Sequence, residues 1–525
     1  MRPSVIRTLR LLAVAAFIWL TSVPSRAATC ASLGALQLPE TTIATAQSVP
    51  AGSFTSPAGP VKTAVEFCRV AMVLKPSADS DIHVEVWLPA AGWNGKFQGV
   101  GNGGFAGSID FNALAAAVAH GYAAAATDTG HRAGGTDASW ALNHPEKIAD
   151  FGYRAIHVTA EAAKGVIFAF YGAAPKRSYF SSCSNGGRQA LMEAERYPAD
   201  YDGILAGAPA NYWTHLLTTA IFNLQALSEP GSAISASKLP AIESAALAAC
   251  DTLDGVKDGV IENPAQCRFD PGVLLCKGAE TDACLTAPEI AAARKIYGGA
   301  KTQKGEAILP GFAPGGEAEQ GDWAAWITGS GGNPSLQEAF GTNFFKYMVY
   351  NDAAWDFKTS TADHNVKLAD DKMALSLNAT DANLKKFESR GGKLILYHGW
   401  SDAAIPPQNA VDYYQSVVKK MGSKDAATFV RLFMVPGMGH CGGGSGPNVF
   451  GQGGVPRNDA EHDIEAALER WVEQGAAPEQ VVATKLRPGT NPPAAVRTRP
   501  LCAYPQTAHW KGSGSTDDAG NFVCK

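Results

Sequence analysis

Two runs of alternating strand-like and helix-like sequence, separated by a long stretch with neither period, limit what this chain can fold into. In the first run, residues 83–210, HVEVWLP has apolar residues at alternate positions, as a strand does. FNALAAAVAHG follows as a helix ended by Gly121, and YAAAATDTG as a short buried strand entering a polar turn. ADFGYRAIHVTAEAAKGVIFAFYG has helical periodicity, KRSYFSS reads as a strand, GGRQALMEAERYP as a helix and YDGILAGAPA as another buried strand. The second run begins near residue 386, with strands in GGKLILYHGWSD and ATFVRLFMVPGMGH and helices in AVDYYQSVVKKMG and DAEHDIEAALERWVEQG. Strands alternating with helices imply a mostly parallel sheet covered on both faces. Between the runs, residues 211–385 hold helix-like pieces around 213–228, 237–250 and 287–297, and Gly/Pro-rich tracts such as GFAPGGEAEQGDW. The simplest organisation is one α/β domain, residues 28–210 and 386–525, interrupted by an insertion over 211–385.

The first 27 residues form a separate unit. Arg2, Arg7 and Arg10 precede the apolar run LLAVAAFIWL, and small residues follow at Ser25 and Ala27. That order is the one of a secretory signal peptide, so the expected location is secreted or periplasmic, with no membrane attachment after cleavage. The full chain carries a formal charge of −5, and losing those arginines makes it more negative. No Lys/Arg cluster stands out, which argues against nucleic acid as a partner. The ten cysteines all lie beyond the signal segment, and an even number in an exported chain points to disulfides. Proximity suggests Cys30 with Cys68, Cys250 with Cys267, Cys276 with Cys284 and Cys502 with Cys524, leaving Cys183 and Cys441.

Those two cysteines flank the candidate chemistry. SCSNGG places Ser184 between a strand and a helix, where Gly186 and Gly187 permit a close strand–helix approach. Such a turn lifts a nucleophilic serine above a sheet's carboxyl edge, although Ser182 stands where the first glycine of G-x-S-x-G would be. The same arrangement calls for an acid after a late strand and a histidine after the last one. Asp402 in LILYHGWSD and His440 in FVRLFMVPGMGH stand there, with Asp128 as the rival acid. His398 shares the Asp402 loop and suits a supporting or substrate-pocket role. For the oxyanion of acyl transfer, the backbone N–H of Asn185 is one donor, and Gly103 or Gly104 in KFQGVGNGGFAGS is the second. If Ser184 and His440 meet at hydrogen-bond distance, Cys183 and Cys441 come within bridging range as well. Together these features imply an α/β-hydrolase fold with a large insertion, and acyl transfer by a Ser-His-Asp set, as in an esterase. A peptidase on the same scaffold and a catalytically silent phenolic-binding protein are the rivals from other classes.

A further motif, CDTLDGVKDGV, interleaves Asp251, Asp254 and Asp258 with glycines. Its spacing suits a hard cation such as Ca²⁺ or, equally, a pair of Asp-Gly turns.

FSSCSNGGRQALMEAERYPADYDGILAGAPA, CDTLDGVKDGVIENPAQC, LYHGWSDAAIPP and VPGMGHCGGG together resemble the tannase/feruloyl esterase family, which includes the mono(2-hydroxyethyl) terephthalate hydrolases. The resemblance implies a triad of Ser184, Asp402 and His440 over a Cys183–Cys441 disulfide. It also implies a structural Ca²⁺ in the lid, held by Asp251, Asp254, Asp258 and the carbonyls of Val256 and Val260. The lid is expected to supply much of an aromatic-acid pocket, with Trp326, Phe344 and Lys346 as candidates. No organic cofactor is implied. Family members cleave gallate, ferulate and terephthalate esters. No arginine occurs between residues 295 and 389 to hold a terephthalate carboxylate, so hydroxycinnamoyl esters are the favoured small aromatic substrates.

Overall fold

In a computed structural model, which describes residues 29–452, 459–490 and 493–525, nine strands form one central sheet. The signal peptide expected at 1–27 lies outside the described residues. Along the chain the strands are β1 (Thr41–Val49), β2 (Phe67–Leu74), β3 (Ile82–Pro89), β4 (Lys96–Val100), β5 (Ala123–Thr127), β6 (Arg177–Cys183), β7 (Gly203–Gly207), β8 (Lys393–Gly399) and β9 (Val430–Val435). Their order across the sheet is β1-β2-β3-β5-β4-β6-β7-β8-β9. The three ladders from β1 to β5 are antiparallel, and the five from β5 to β9 are parallel. The parallel part matches the expectation from sequence, and the antiparallel edge adds the stretch before residue 82. This is the α/β-hydrolase fold.

Burial explains the strand sequences. AAAAT of β5 and GILAG of β7 are buried throughout, as strands covered on both faces must be. Along β8, Leu394 and Leu396 enter one core layer while Ile395 and Tyr397 enter the other, which is the period of two expected of a pleated strand. The first layer is completed by helices α2 (Ala155–Tyr171), α3 (Asn185–Arg196) and α5 (Gln408–Met421); the second by α1 (Phe111–Ala119) and α6 (Ile464–Gln474). The helix read from ADFGYRAIH onward is not continuous. A π-helical turn at Asp150–Arg154 separates Pro145–Ala149 from α2, which ends at Gly172 with φ 72°.

Between β7 and β8 the chain adds no strand to the central sheet. It forms α4 (Trp213–Ser228) and the helices Leu239–Cys250, Ala287–Gly298, Leu336–Asn343 and Ala362–Leu377. Phe344, Phe345 and Trp355 from this region pack with Phe105, Phe151 and Trp213. Ala362–Leu377 has no legible apolar stripe, because only Asn365, Ala369 and Leu377 along it are buried.

The disulfides join Cys30 to Cys68, Cys183 to Cys441, Cys250 to Cys267, Cys276 to Cys284 and Cys502 to Cys524. Among the described residues no cysteine is free, and no helix is long and apolar enough to cross a membrane.

Candidate active site

Strand β6 ends at Cys183, and Ser184 turns the chain into α3 with φ 68° and ψ −125°, a conformation that a side chain rarely adopts. Three backbone hydrogen bonds hold the strain: Ser184 N–H to Gly207 O at 2.9 Å, and the N–H groups of Arg188 and Ala210 to Ser184 O at 3.1 Å each. Glycine is required beside it. A Cβ at Gly186 would fall 1.9 Å from Ser182 Oγ, and one at Gly187 would fall 2.2 Å from Gly207 O. The same crowding explains Ser182 in place of the usual glycine: its hydroxymethyl group occupies space that Gly101 and Gly186 leave open.

His440 follows β9 and Asp402 follows β8, adjacent parallel strands that bring their carboxyl-end loops together. Ser401 N–H donates to Met438 O at 3.0 Å, locking one loop to the other. His440 Nε2 lies 2.9 Å from Ser184 Oγ, and His440 Nδ1 lies 2.9 Å from Asp402 Oδ2. Asp402 Oδ1 accepts the N–H groups of Ala404 and Ile405 at 2.8 and 2.9 Å. Burial would push the Asp402 carboxyl up, but the imidazoles of His440 and His398 outweigh it and hold it well below the usual carboxylate range. It is therefore ionised at neutral pH. Cys183 and Cys441 are bridged with their Cα atoms 6.0 Å apart, joining the serine turn to the histidine loop.

An apolar cavity opens on Ser184, and none of its lining residues is ionisable. One face of α4 supplies Trp213, Leu216, Leu217 and Ala220, at the spacing of a single helical stripe. Gly104 and Asn185 line the end beside the serine, and Trp326 and Phe340 face each other as stacked rings 5.8 Å apart. Trp326 also meets the His440 ring edge-on at 5.1 Å.

The other expected positions fall elsewhere. His398 is fully buried and shares Asp402 Oδ2 at 3.0 Å, behind the cavity rather than in its wall. Phe344 is fully buried against Phe345, and neither it nor Lys346 lines the cavity. The aromatic composition of 211–385 does not separate core rings from wall rings. Asp128 accepts the N–H groups of His83 and Gly130 and makes no bond to His440. The stripe on α4 was legible in the sequence as a helix face, although its role as a wall was not.

Asp251, Asp254 and Asp258 lie on one loop closed by Cys250–Cys267. Asp251 accepts the N–H groups of Asp258 and Gly259, and Asp254 that of Val256. Asp258 accepts Val260 N–H and, at 2.5 Å, the Arg499 guanidinium. Among the described residues no three His, Cys, Asp or Glu side chains converge on one point. Oxygen-only donors suit a hard cation, and burial together with the Asp258 charge raises the Asp254 pKa, a repulsion that a cation relieves. The donor chemistry therefore fits Ca²⁺, while Arg499 competes for one of the three carboxylates.

The chain is similar to known proteins over most of its length. It matches the family model described as tannase and feruloyl esterase over residues 68–525. It is 46% identical over 532 residues to an uncharacterized esterase of Xanthomonas campestris pv. campestris, covering 96% of this chain and 92% of that protein. It is 35% identical over 431 residues to probable feruloyl esterase B-2 of Aspergillus flavus, covering 80% of each. The crystal structure of feruloyl esterase B from Aspergillus oryzae superposes with a TM-score of 0.87 at 29% identity, covering 94% of this chain and 99% of that one. The chain is a carboxylic ester hydrolase and belongs to the tannase and feruloyl esterase family.

Proposed function

We propose that this chain is a secreted or periplasmic serine esterase that cleaves feruloyl and related hydroxycinnamoyl esters. One observation carries the reading: a cavity without an ionisable wall residue opens on a serine that is hydrogen-bonded to a histidine–aspartate pair. A neutral phenolic acyl group enters such a cavity at low desolvation cost, with Gln337 and Thr219 as polar contacts for ring oxygens. The carboxylate of a terephthalate monoester would find no counterion there. Names given to relatives, such as feruloyl esterase B, support the same choice.

In the mechanism, Ser184 Oγ attacks the ester carbonyl carbon as its proton passes to His440 Nε2. Asp402 holds the His440 Nδ1–H and stabilises the resulting cation. The N–H groups of Asn185 and of Gly103 or Gly104 receive the oxyanion. His440 then protonates the departing alkoxide, which breaks the ester C–O bond and leaves an acyl-enzyme. A water molecule gives its proton to His440 and attacks that acyl group, releasing the aromatic acid and restoring the serine.

The insertion between β7 and β8 serves as a lid, and Asp251, Asp254, Asp258 and the carbonyls of Val256 and Val260 are the groups that would hold a structural Ca²⁺, which would neutralise the loop's carboxylates. A hydrolysis panel of methyl ferulate, methyl gallate and mono(2-hydroxyethyl) terephthalate tests the substrate assignment. The expected order places ferulate first, and a higher kcat/KM for either of the others replaces it with a galloyl or terephthalate ester. Ser184→Ala should lower kcat by at least roughly a thousandfold with the fold intact. Near-wild-type turnover in that variant would remove the serine mechanism.

A further inference from the structure

The side chain of Asn185, next to the nucleophile, is fixed from beneath by Arg188, one helical turn further on. Arg188 is fully buried, and its guanidinium is in no ion pair among the described residues. Its donors reach Asn185 Oδ1 at 2.8 Å, Gly152 O at 2.7 Å, Phe151 O at 3.1 Å and Leu377 O at 3.3 Å. Two of those carbonyls belong to the π-helical turn before α2, and the third to the insertion. The guanidinium also lies over the rings of Phe151 and Trp213, at 4.8 and 5.2 Å.

A guanidinium can only donate, so the carboxamide oxygen of Asn185 must be the end that faces it. The opposite end, Nδ2, is buried and has no hydrogen-bond partner. Asn185 is 1% exposed and lines the cavity beside Ser184. A buried NH₂ group left without an acceptor opposes folding, and its position beside a nucleophile suggests that a ligand supplies the acceptor. The guanidinium charge beside Oδ1 also polarises the amide and strengthens its N–H groups as donors.

We propose that the Asn185 side-chain amide donates a hydrogen bond to the acyl oxygen of the bound ester, alongside the backbone donors, and that Arg188 is the positioning residue that, by holding the oxygen, leaves the NH₂ end free to do so. The proposal rests on the reading of Ser184 as the nucleophile. It makes Asn185 a catalytic residue twice over, through its backbone and through its side chain.

The test uses the full chain and methyl ferulate. Asn185→Asp keeps the size of the side chain and gives Arg188 an anionic partner, but turns the free donor into an acceptor. It should melt no lower than wild type while kcat falls about 10²- to 10³-fold and KM changes little. Asn185→Ala removes the donor without adding charge and should lower kcat at least about tenfold. Arg188→Lys should lower kcat comparably, and combining it with Asn185→Ala should add no further loss, because both act through one amide. A kcat for Asn185→Ala within about threefold of wild type overturns the proposal. So do additive losses in the double variant, which identify Arg188 as purely structural. If instead Ser184→Ala retains activity, or wild type is inactive on aryl esters, the underlying esterase reading is what falls.

Discussion

Asp322 precedes the short helix Trp323–Trp326, and its carboxylate lies against the backbone one position before His440, where a Cβ on Gly439 would come within 3.0 Å of Asp322 Oδ1. Burial pushes its pKa up to about 8, assisted by the charges of Asp402, Glu319, Glu243 and Glu317, and Asp322 Oδ2 has no hydrogen-bond partner. The folded pKa is raised above the ordinary carboxylate value. The stability this group contributes is therefore complete below about pH 4 and is lost as pH rises through about 8. Asp322→Asn, neutral at every pH, should raise the melting temperature relative to wild type at pH 8 and much less at pH 4. Equal shifts at both values would show that the carboxylate stays ionised in the fold. Ser184, Asp402 and His440 could be picked out in the sequence because each sits where a strand ends, which local patterning reveals. Asp322 and Arg188 could not, because the groups that give them their character lie far away along the chain: Asp402 for the first, Gly152 and Leu377 for the second.

At the level of elements, β6, β8 and β9 deliver the three groups, and a disulfide fixes two of the loops. Cys183 and Cys441 close a loop with a sequence separation of 258. In the chain-entropy account such a crosslink stabilises by roughly 5 kcal/mol. Cys183→Ser with Cys441→Ser should lower the melting temperature by several degrees and cut kcat at temperatures well below the melt, since the His440–Ser184 distance loses its tether. Unchanged kcat at low temperature would confine the bridge to a stabilising role. The helices with one-sided apolar patterns were legible in the sequence. Ala362–Leu377 was not, because most of its side chains are half-buried or exposed and only three are fully buried. Strands β1 and β2 lay outside the two runs; β2 joins the sheet by pairing with β3, and β1 by pairing with β2.

For the whole molecule, the loop at 251–260 is the meeting point of the insertion and the C-terminal hairpin formed by Gln480–Leu486 and Ala495–Cys502. Arg497 and Arg499 of that hairpin both reach Asp258. A bound Ca²⁺ there would draw the loop's carboxylates together and stabilise the folded state by mass action. Prolonged chelation should lower the melting temperature, calcium alone should restore it, and elemental analysis should find one calcium per chain before treatment. A melt unmoved by chelation in metal-free protein would leave the loop as Asp-Gly turns held by arginine. The sequence by itself determined the parallel sheet, the position of the insertion and the three groups in line at the sheet edge. Strand and helix periods, turn glycines and strand-end residues are all written within a few positions of one another. Only the tertiary structure decided which aromatic rings form the cavity wall, that the wall is uncharged, and which end of the Asn185 amide stays free. Those properties arise where α4, the π-helical turn and the far end of the insertion converge, and no local pattern encodes contacts between segments that distant.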